Sequence, residues 1–263
     1  MNTQLLEQMT SPCIREAIQN GYRTAIVAGG STEQHGQHLP IGTDAMLAYQ
    51  AAIAIAKELG KTLVAPVVRP GCSDHHMAYS GTISLPVSVF QSIVSSYCTS
   101  LSRHGFERIV LVTTHGGNTE AMRSIAPELD ASLPCRVVFA DIIDDPRLAS
   151  AKIPLFGKLG VTPEQGGFHA GFEETSLLLA EENGRWADMA SARVGFVGDS
   201  RKRVRELSAR GAWSIAEISP LGVLGDPRCA NAESGRAMLA AFVPIWVAIV
   251  REALDMAQEE YKY

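Results

Sequence analysis

Residues 24–44 read TAIVAGGSTEQHGQHLPIGTD, and they join an apolar run to a polar, glycine-containing loop. The run Thr24–Ala28 has the composition of a buried strand, and an amphipathic helical pattern begins near Thr43. The polar loop between them therefore connects a strand to a helix. In α/β proteins, such loops at the carboxyl ends of parallel strands are where ligands bind.

This loop carries two carboxylates, Glu33 and Asp44, and two imidazoles, His35 and His38. On an extended chain Glu33 and His35 point the same way, and the glycines that follow allow Asp44 to fold back towards them. Oxygen and imidazole ligands without a thiolate suit zinc, manganese or a similar divalent ion. Each residue alone could be an ordinary polar loop residue, or in the case of Asp44 a helix cap. Their combination in one loop favours a metal site.

The composition excludes several classes of function. The 263 residues include 23 basic and 28 acidic side chains, a formal net charge of -5. This balance, without a long basic run, gives no electrostatic basis for binding nucleic acid or an anionic membrane. The five cysteines are widely spaced and form no C-x-x-C motif, which predicts reduced thiols in a cytoplasmic protein.

The sequence also predicts neither a signal peptide nor a membrane span. The first residues lack a basic segment followed by a long apolar one. The apolar run 237–250 contains Pro244 and is shorter than the roughly 20 residues that a span needs. We therefore predict a buried helix there and a soluble protein.

Strand and helix patterns alternate along the chain. Apolar runs predict core strands near residues 24–29, 62–68, 108–114 and 136–140, and a short strand at 81–85. Amphipathic patterns predict helices over residues 44–59, 86–103, 116–129 and 232–261, and another that begins near residue 172. This alternation predicts an α/β fold, a three-layer sandwich with a mostly parallel sheet.

Two long segments have no clear pattern. Residues 141–167 contain proline and glycine and are interpreted as a long active-site loop, and residues 184–230 are predicted to be irregular. We find no internal repeat or linker, so we expect a single domain over residues 1–263.

His115 directly follows the predicted strand 108–114, at the same sheet edge as the first loop. Gly116 and Gly117 allow a sharp turn, and Asn118 is expected to cap the next helix. One interpretation is metal ligation by His115. The other is an anion cradle or an oxyanion hole of the serine-hydrolase type, but that interpretation lacks a nucleophile, because the chain contains no G-x-S-x-G motif.

Two further pairs of polar residues remain ambiguous. His169 and Glu174 flank a predicted helix start and can reach a shared cavity, although Glu173 could replace Glu174 or the acid could serve only the helix dipole. His75 and His76 are adjacent, so on an extended chain they point apart and at most one is expected to enter a site.

Together these motifs resemble the creatininase family. They are Gly30–Pro40 with Thr43-Asp44, then Ser73–His76 before Gly81-Thr82, then His115–Asn118, and then His169–Gly171 with Glu174–Ser176. The resemblance runs from about residue 24 to 180, with a weaker similarity at 222–227 and in the final helix. It implies a homo-oligomer, often a homohexamer built as a trimer of dimers, and two divalent metal ions per chain, zinc or manganese with iron possible, at the carboxyl edge of the sheet.

The resemblance also implies a division of the metal ligands. Glu33 and His115 would bind one metal, His35 and Glu174 would bind the other, and Asp44 would bridge the two.

Other residues are implied to act on the substrate. His169 matches a catalytic histidine near the scissile bond, suited to protonating a leaving nitrogen, and His76 matches a pocket histidine of the G-x-S-x-x-H loop that includes Ser73. We expect His76, Ser73 and Gly117 to contact the substrate. Gly117 stands where family members that hydrolyse creatinine have an acidic residue. A substrate other than creatinine is therefore expected, because relatives with this glycine pair act on formylamino-pyrimidines or on peptide ends.

A binuclear site of this kind has a definite chemistry. Two cations lower the pKa of a bridging water, so that a hydroxide is available to attack an amide carbonyl, and His169 protonates the departing nitrogen. The sequence predicts a divalent-metal-dependent hydrolase of linear or cyclic amides with a small-molecule substrate. The alternatives are a formamide deformylase or a peptide-end-cleaving peptidase of the same family, a non-catalytic ligand-binding relative, and a thiol hydrolase that uses Cys72 with His75 or His76.

Overall fold

The computed structural model describes residues 3–181 and 184–259, and a four-stranded parallel sheet lies at its centre. The strand order is β2-β1-β3-β4. The strands are β1 (Thr24–Gly29), β2 (Thr62–Val64), β3 (Arg108–Thr113) and β4 (Arg136–Phe139). The helices are α1 (Ser11–Gln19), α2 (Thr43–Leu59), α3 (Val87–Arg103), α4 (Gly116–Ser132), α5 (Pro146–Lys158), α6 (Pro163–Gly166), α7 (Phe172–Leu179), α8 (Ser200–Ser208) and α9 (Ala232–Glu259).

Helices cover both faces of the sheet. Along β1 the side chains alternate, so that Ile26 and Ala28 pack with α2, α5, α7 and α9 on one face. Ala25 and Val27 pack with α1, α3 and α4 on the other. Full burial of a side chain such as Ile26 stabilises the fold by about 1.5–3 kcal/mol. The predicted three-layer α/β sandwich with a parallel sheet is confirmed.

The prediction of a long loop over residues 141–167 was wrong, because this segment contains α5 and α6. The side chain of Asp145 accepts a hydrogen bond of 2.9 Å from the backbone N–H of Arg147 and so caps α5, and Pro146 occupies the first turn, where proline is favoured. Leu148 and Phe156 anchor the helix in the core. Only these two side chains of α5 are buried, so the apolar pattern was too sparse to predict a helix.

Two other predictions need correction. Residues 184–230 include α8, whose first turn is capped by Asp199; its face is highly charged and only Ser200 and Leu207 are buried, which hides the helical period. Residues 81–85 form no strand but a single bridge between Ile83 and Thr32.

The final helix begins at Ala232, as predicted, while the predicted end at Tyr261 lies outside the described residues. Within the described chain, the stretch Ala232–Asp255 is the one helical segment long and apolar enough to span a membrane, by length and composition alone. The core helix of a soluble protein passes the same test. Here α9 packs against α2, α5, α7 and β4, with Phe242 and Val250 in the core, as the predicted buried helix should.

Candidate metal centre

Loops at the carboxyl edge of the sheet supply the candidate ligands. Glu33 and His35 lie in the loop after β1, and Asp44 lies in the first turn of α2. His115 is the N-cap residue of α4 directly after β3, and Glu174 lies in the first turn of α7. Carboxylates in the first turn of a helix are stabilised by the helix dipole. The parallel arrangement of β1 and β3 thus brings together residues that are far apart in sequence.

The five side chains form two groups that share Asp44. Nδ1 of His115 lies 3.3 Å from a carboxylate oxygen of Glu33 and 3.2 Å from one of Asp44. Nε2 of His35 lies 3.3 Å from the other oxygen of Asp44 and 3.7 Å from Glu174. In each group the potential ligand atoms lie within 4.8 Å of one another. This is the division that the resemblance implies, and the ligand roles themselves stay predictions.

The second nitrogen of each histidine supports the fit to a metal. Nδ1 of His35 donates to the backbone carbonyl of Glu33 at 3.2 Å, and Nε2 of His115 donates to that of Cys72 at 3.1 Å. Metal-binding histidines are typically held in this way, because it turns the other nitrogen towards the ion. Nε2 of His35 and Oδ2 of Asp44 are buried without a hydrogen-bond partner among the described residues. The donor set and its unsatisfied atoms therefore fit a divalent ion.

The buried negative charges of the cluster also favour a bound cation. In the described part of the chain, every ion-pair partner of Glu33, Asp44 and Glu174 is a histidine. Burial lowers the pKa of His35, but the carboxylates of Asp44 and Glu174 outweigh it and raise that pKa to about 10. Burial raises the pKa of Glu174 to about 7, although the charge of His35 opposes this. Buried carboxylates persist only when positive charge compensates them, and either protons on the imidazoles or divalent ions can supply it.

The structure distinguishes the two adjacent glutamates. Nζ of Lys152 in α5 lies 2.7 Å from Glu173, which therefore pairs outside the cluster. Glu174 faces His35 and accepts a hydrogen bond from the backbone N–H of Ala170.

Three more histidines surround the cluster. Nε2 of His76 lies 3.1 Å from Glu33, and Nδ1 of His169 lies 3.7 Å from the same carboxylate oxygen. His75 also lines the adjoining cavity, so the expectation that at most one of the two adjacent histidines would enter was wrong. The reason is that Asp74–His76 forms a 3-10 turn instead of an extended segment. His38 lies apart, with Nε2 2.9 Å from the hydroxyl of Thr175, and is a buried structural residue.

Ser73 and Asn118 make hydrogen bonds that hold the residues around the cluster in place. Ser73 is fully buried, 3.3 Å from Nε2 of His115 and 2.5 Å from the hydroxyl of Ser31, and it does not line the cavity in which we expected it to contact substrate. Asn118 does not cap α4 as predicted. Its side chain instead accepts from the backbone N–H of Cys72 at 2.9 Å and donates to the carbonyl of Gly30 at 2.8 Å, which ties two loops together.

Gly117 lines the cavity at a point where no larger residue fits. A Cβ atom there would overlap the carbonyl oxygen of Cys72 and the ring of His115. The position that is acidic in creatinine-hydrolysing family members is therefore closed to a side chain in this protein unless the loop shifts.

We expect Gly117→Ala to destabilise the protein by about 1–3 kcal/mol, the usual cost of overpacking, and to weaken divalent-ion binding by displacing His115. Gly116→Ala is the matched control, because a Cβ at Gly116 meets nothing within 4 Å. Urea denaturation and zinc titration of both variants provide the measurement. Equal behaviour of the two variants would contradict this account.

A cavity of about 410 Å³ opens from the cluster. Its lining includes the apolar side chains of Leu148, Trp213, Ile215 and Trp246. A second cavity of about 430 Å³ adjoins it, with Phe168 and other residues lining both.

Sequence reasoning missed two residues at this site. The Trp213 ring stacks on that of His75 at 5.0 Å, but it lies in a segment predicted to be irregular, and nothing in the sequence signalled it. Gln34 contacts both His76 and His169. Its position between Glu33 and His35 was a signal, but on an extended chain a residue at that position points to the opposite side.

A parallel sheet covered on both faces, with a buried carboxylate–histidine cluster at its carboxyl edge, defines the class: an α/β protein with a candidate divalent-metal centre. Comparison with known proteins refines this. The creatininase family model, described as creatinine amidohydrolase, matches residues 7–250, so the chain belongs to the creatininase family.

Individual relatives agree with this assignment. The mycofactocin precursor peptide peptidase of Mycolicibacterium smegmatis is 30% identical over 83% of this chain and 80% of its own length. A Bacteroides fragilis protein provisionally named a creatinine amidohydrolase shares the fold with a TM-score of 0.76, at 22% identity and full coverage of both chains. A structure titled "Creatininase Mn" gives a TM-score of 0.71 at 21% identity, covering 96% of this chain and 99% of that one. The family and its named relatives indicate a hydrolase, and the donor set described above fits a divalent metal.

Proposed function

We propose that this protein hydrolyses a carbon–nitrogen amide bond with two divalent ions, one held by Glu33 and His115, the other by His35 and Glu174, and both by Asp44. The observation that carries the proposal is the pair of buried carboxylate–imidazole groups sharing Asp44. Ions held there would supply Lewis-acid polarisation of the amide carbonyl and a water of lowered pKa. Zinc and manganese both suit this donor set, and iron is a further candidate.

His169 is the proposed proton carrier. Its Nε2 lies 2.8 Å from the backbone carbonyl of Gln34, which can only accept, so Nε2 carries a hydrogen and Nδ1 of the neutral ring faces Glu33. The histidine therefore accepts a proton at Nδ1 from the attacking water before it returns that proton to the departing nitrogen. This adds a base step to the acid role predicted from the sequence.

The cavity favours an extended substrate over a compact cyclic one. Sites of roughly 300–1,000 Å³ enclose drug-sized ligands, and the cavity of about 410 Å³ here adjoins a second one of about 430 Å³. The M. smegmatis relative is named a peptidase, which also favours a peptide as the substrate. Among the amide substrates considered, a peptide end with an apolar or aromatic residue fits this space better than creatinine or a formamide.

A thiol hydrolase is a weaker candidate. Burial raises the pKa of Cys72, which disfavours the reactive thiolate, although the nearby His115 opposes the shift. The backbone carbonyl of Cys72 lies 3.1 Å from Nε2 of His115.

The test is a substrate screen of the protein loaded with zinc or manganese. The panel contains creatinine, formamides, lactams and short peptides ending in an apolar or aromatic residue, and the readout is released amine. We expect chelator-sensitive release from at least one amide, most of all a peptide. A protein that binds neither metal after reconstitution would instead be the non-catalytic relative, and metal binding without any release would also contradict the proposal.

The homohexamer and the cytoplasmic location implied above stay proposals, and the exposed surface supports self-association only. Five large apolar side chains on or beside residues 77–89 are exposed: Ile41 40%, Met77 56%, Ile83 55%, Val87 51% and Val89 44%. Contiguous exposed apolar surface marks protein–protein contacts. We expect light scattering to give an oligomer and Ile83→Glu with Val87→Glu to reduce its mass. A monomeric wild-type protein would contradict this.

A further inference from the structure

The side-chain amide of Gln34 lies buried between three elements of the candidate site. Its nitrogen is 2.9 Å from Nδ1 of His76 and 3.2 Å from the carbonyl oxygen of Gly222, and its oxygen accepts from the backbone N–H of Gly36 at 2.9 Å. The nitrogen also lies 3.0 Å from Nε2 of His169.

Two backbone groups fix the orientation of this amide. The carbonyl of Gly222 can only accept and the N–H of Gly36 can only donate, so the NH₂ group must face Gly222. One hydrogen of the NH₂ group is used there. The second has two candidate acceptors, His76 and His169.

The choice between them follows from the backbone carbonyl of Gln34. Because Nε2 of His169 donates to that carbonyl at 2.8 Å, it cannot also accept from the amide. The second amide hydrogen therefore goes to Nδ1 of His76. A neutral imidazole that accepts at Nδ1 carries its hydrogen on Nε2, and Nε2 of His76 lies 3.1 Å from Glu33.

We propose that Gln34 is a positioning residue that sets the tautomers of two site histidines with two different groups. Its side chain makes His76 an N–H donor that holds one oxygen of Glu33, which leaves the other oxygen towards His115. Its backbone carbonyl leaves Nδ1 of His169 free to accept a proton. The catalytic consequence rests on the proposed hydrolase function, whereas the tautomers do not.

Gly222 is the matching backbone requirement. Its φ of +71° is in the left-handed region, and a Cβ there would overlap the Gln34 amide. A side chain at position 222 would therefore displace the amide from His76. This assigns a function to part of the weak motif at residues 222–227.

The test is ¹⁵N NMR of histidine-labelled, zinc-loaded protein, which reports the protonated nitrogen of each ring without turnover. In the wild type we expect both His76 and His169 to be protonated at Nε2. In Gln34→Glu the carboxylate can only accept, so the His76 signals should exchange, with the hydrogen moving to Nδ1. The His169 signals should keep their pattern, because the backbone carbonyl remains.

Gln34→Met provides a second variant that needs no buried charge. We expect His76 to lose its single tautomer and zinc affinity to fall by about 10- to 100-fold, as is usual when a ligand loses its supporting contact. Gln50→Met is the matched control, since Gln50 is similarly buried but its amide donates to the carbonyl of Leu177 and to Glu181. It should leave both histidine patterns and the zinc affinity unchanged.

Three results would overturn the proposal: an unchanged His76 tautomer in both Gln34 variants, a His169 pattern that changes together with His76, or equal zinc affinities for Gln34→Met and Gln50→Met. A protein with the expected tautomers that hydrolyses no amide would refute the proposed function and leave the positioning role intact.

Discussion

Asp44→Asn should abolish both the metal-dependent stability of the protein and its hydrolase activity. Asp44 is the one residue common to both candidate groups, with one oxygen 3.3 Å from His35 and the other 3.2 Å from His115. Asparagine keeps the shape but replaces one oxygen with an NH₂ group, which cannot bind a cation. We expect metal content to fall from about two ions per chain to less than one, and turnover to fall to background.

Thermal unfolding with and without zinc measures the loss independently of turnover. A ligand that binds only the folded state stabilises it by about 4 kcal/mol when its free concentration is 1,000 times Kd. The wild type should show this stabilisation and Asp44→Asn should not. Asp130→Asn is the control, because Asp130 pairs with Arg136 and lies outside the cluster. An Asp44→Asn protein that still binds two ions with full activity would exclude Asp44 as a shared ligand.

The convergence of Glu33, His35 and His115 at one sheet edge could be predicted, because it depends on where the strands end. The apolar runs before Gly29 and before His115 are strong strand signals, and neighbouring parallel strands end at one sheet edge. Two loops separated in sequence by α2, β2 and α3 therefore had to meet there. The choice between Glu173 and Glu174 depends instead on a contact of Glu173 with Lys152 in α5, a helix whose sparse apolar pattern was not interpretable.

The contacts of the polar residues around the cluster could not be predicted, because they depend on local turns. A 3-10 turn lets His75 and His76 both face the cavity, and the irregular loop after β1 turns Gln34 inward. Periodicity arguments assume regular dihedral angles, which these residues do not have. Asn118 shows the same limit: at a helix start it is a typical cap, yet it bridges two loops.

His169→Ala should reduce kcat by about 10²–10⁴-fold, the usual contribution of a general acid–base group, with metal content unchanged. The reason is that Nδ1 of His169 faces the cluster while Nε2 is held by the backbone carbonyl of Gln34. Burial, together with the charge of the neighbouring His35, lowers the pKa of His169 to about 3, so the ring is neutral in the metal-free protein. Steady-state kinetics on the substrate found in the amide screen and elemental analysis provide the measurements.

The metal content of His169→Ala distinguishes proton transfer by His169 from direct metal ligation by His169. His169 also lies close enough to Glu33 and His35 to form a third candidate group, and a ligand role predicts that the alanine variant loses an ion. His38→Ala is the control for removing a buried imidazole, because His38 contacts the hydroxyl of Thr175 and belongs to none of the candidate groups; it should keep its metal and its kcat. Loss of an ion in His169→Ala would assign His169 to the metal. Retained ions with an unchanged kcat would mean that another group moves the proton, and His76, which presents an N–H to Glu33, would be the next residue to replace.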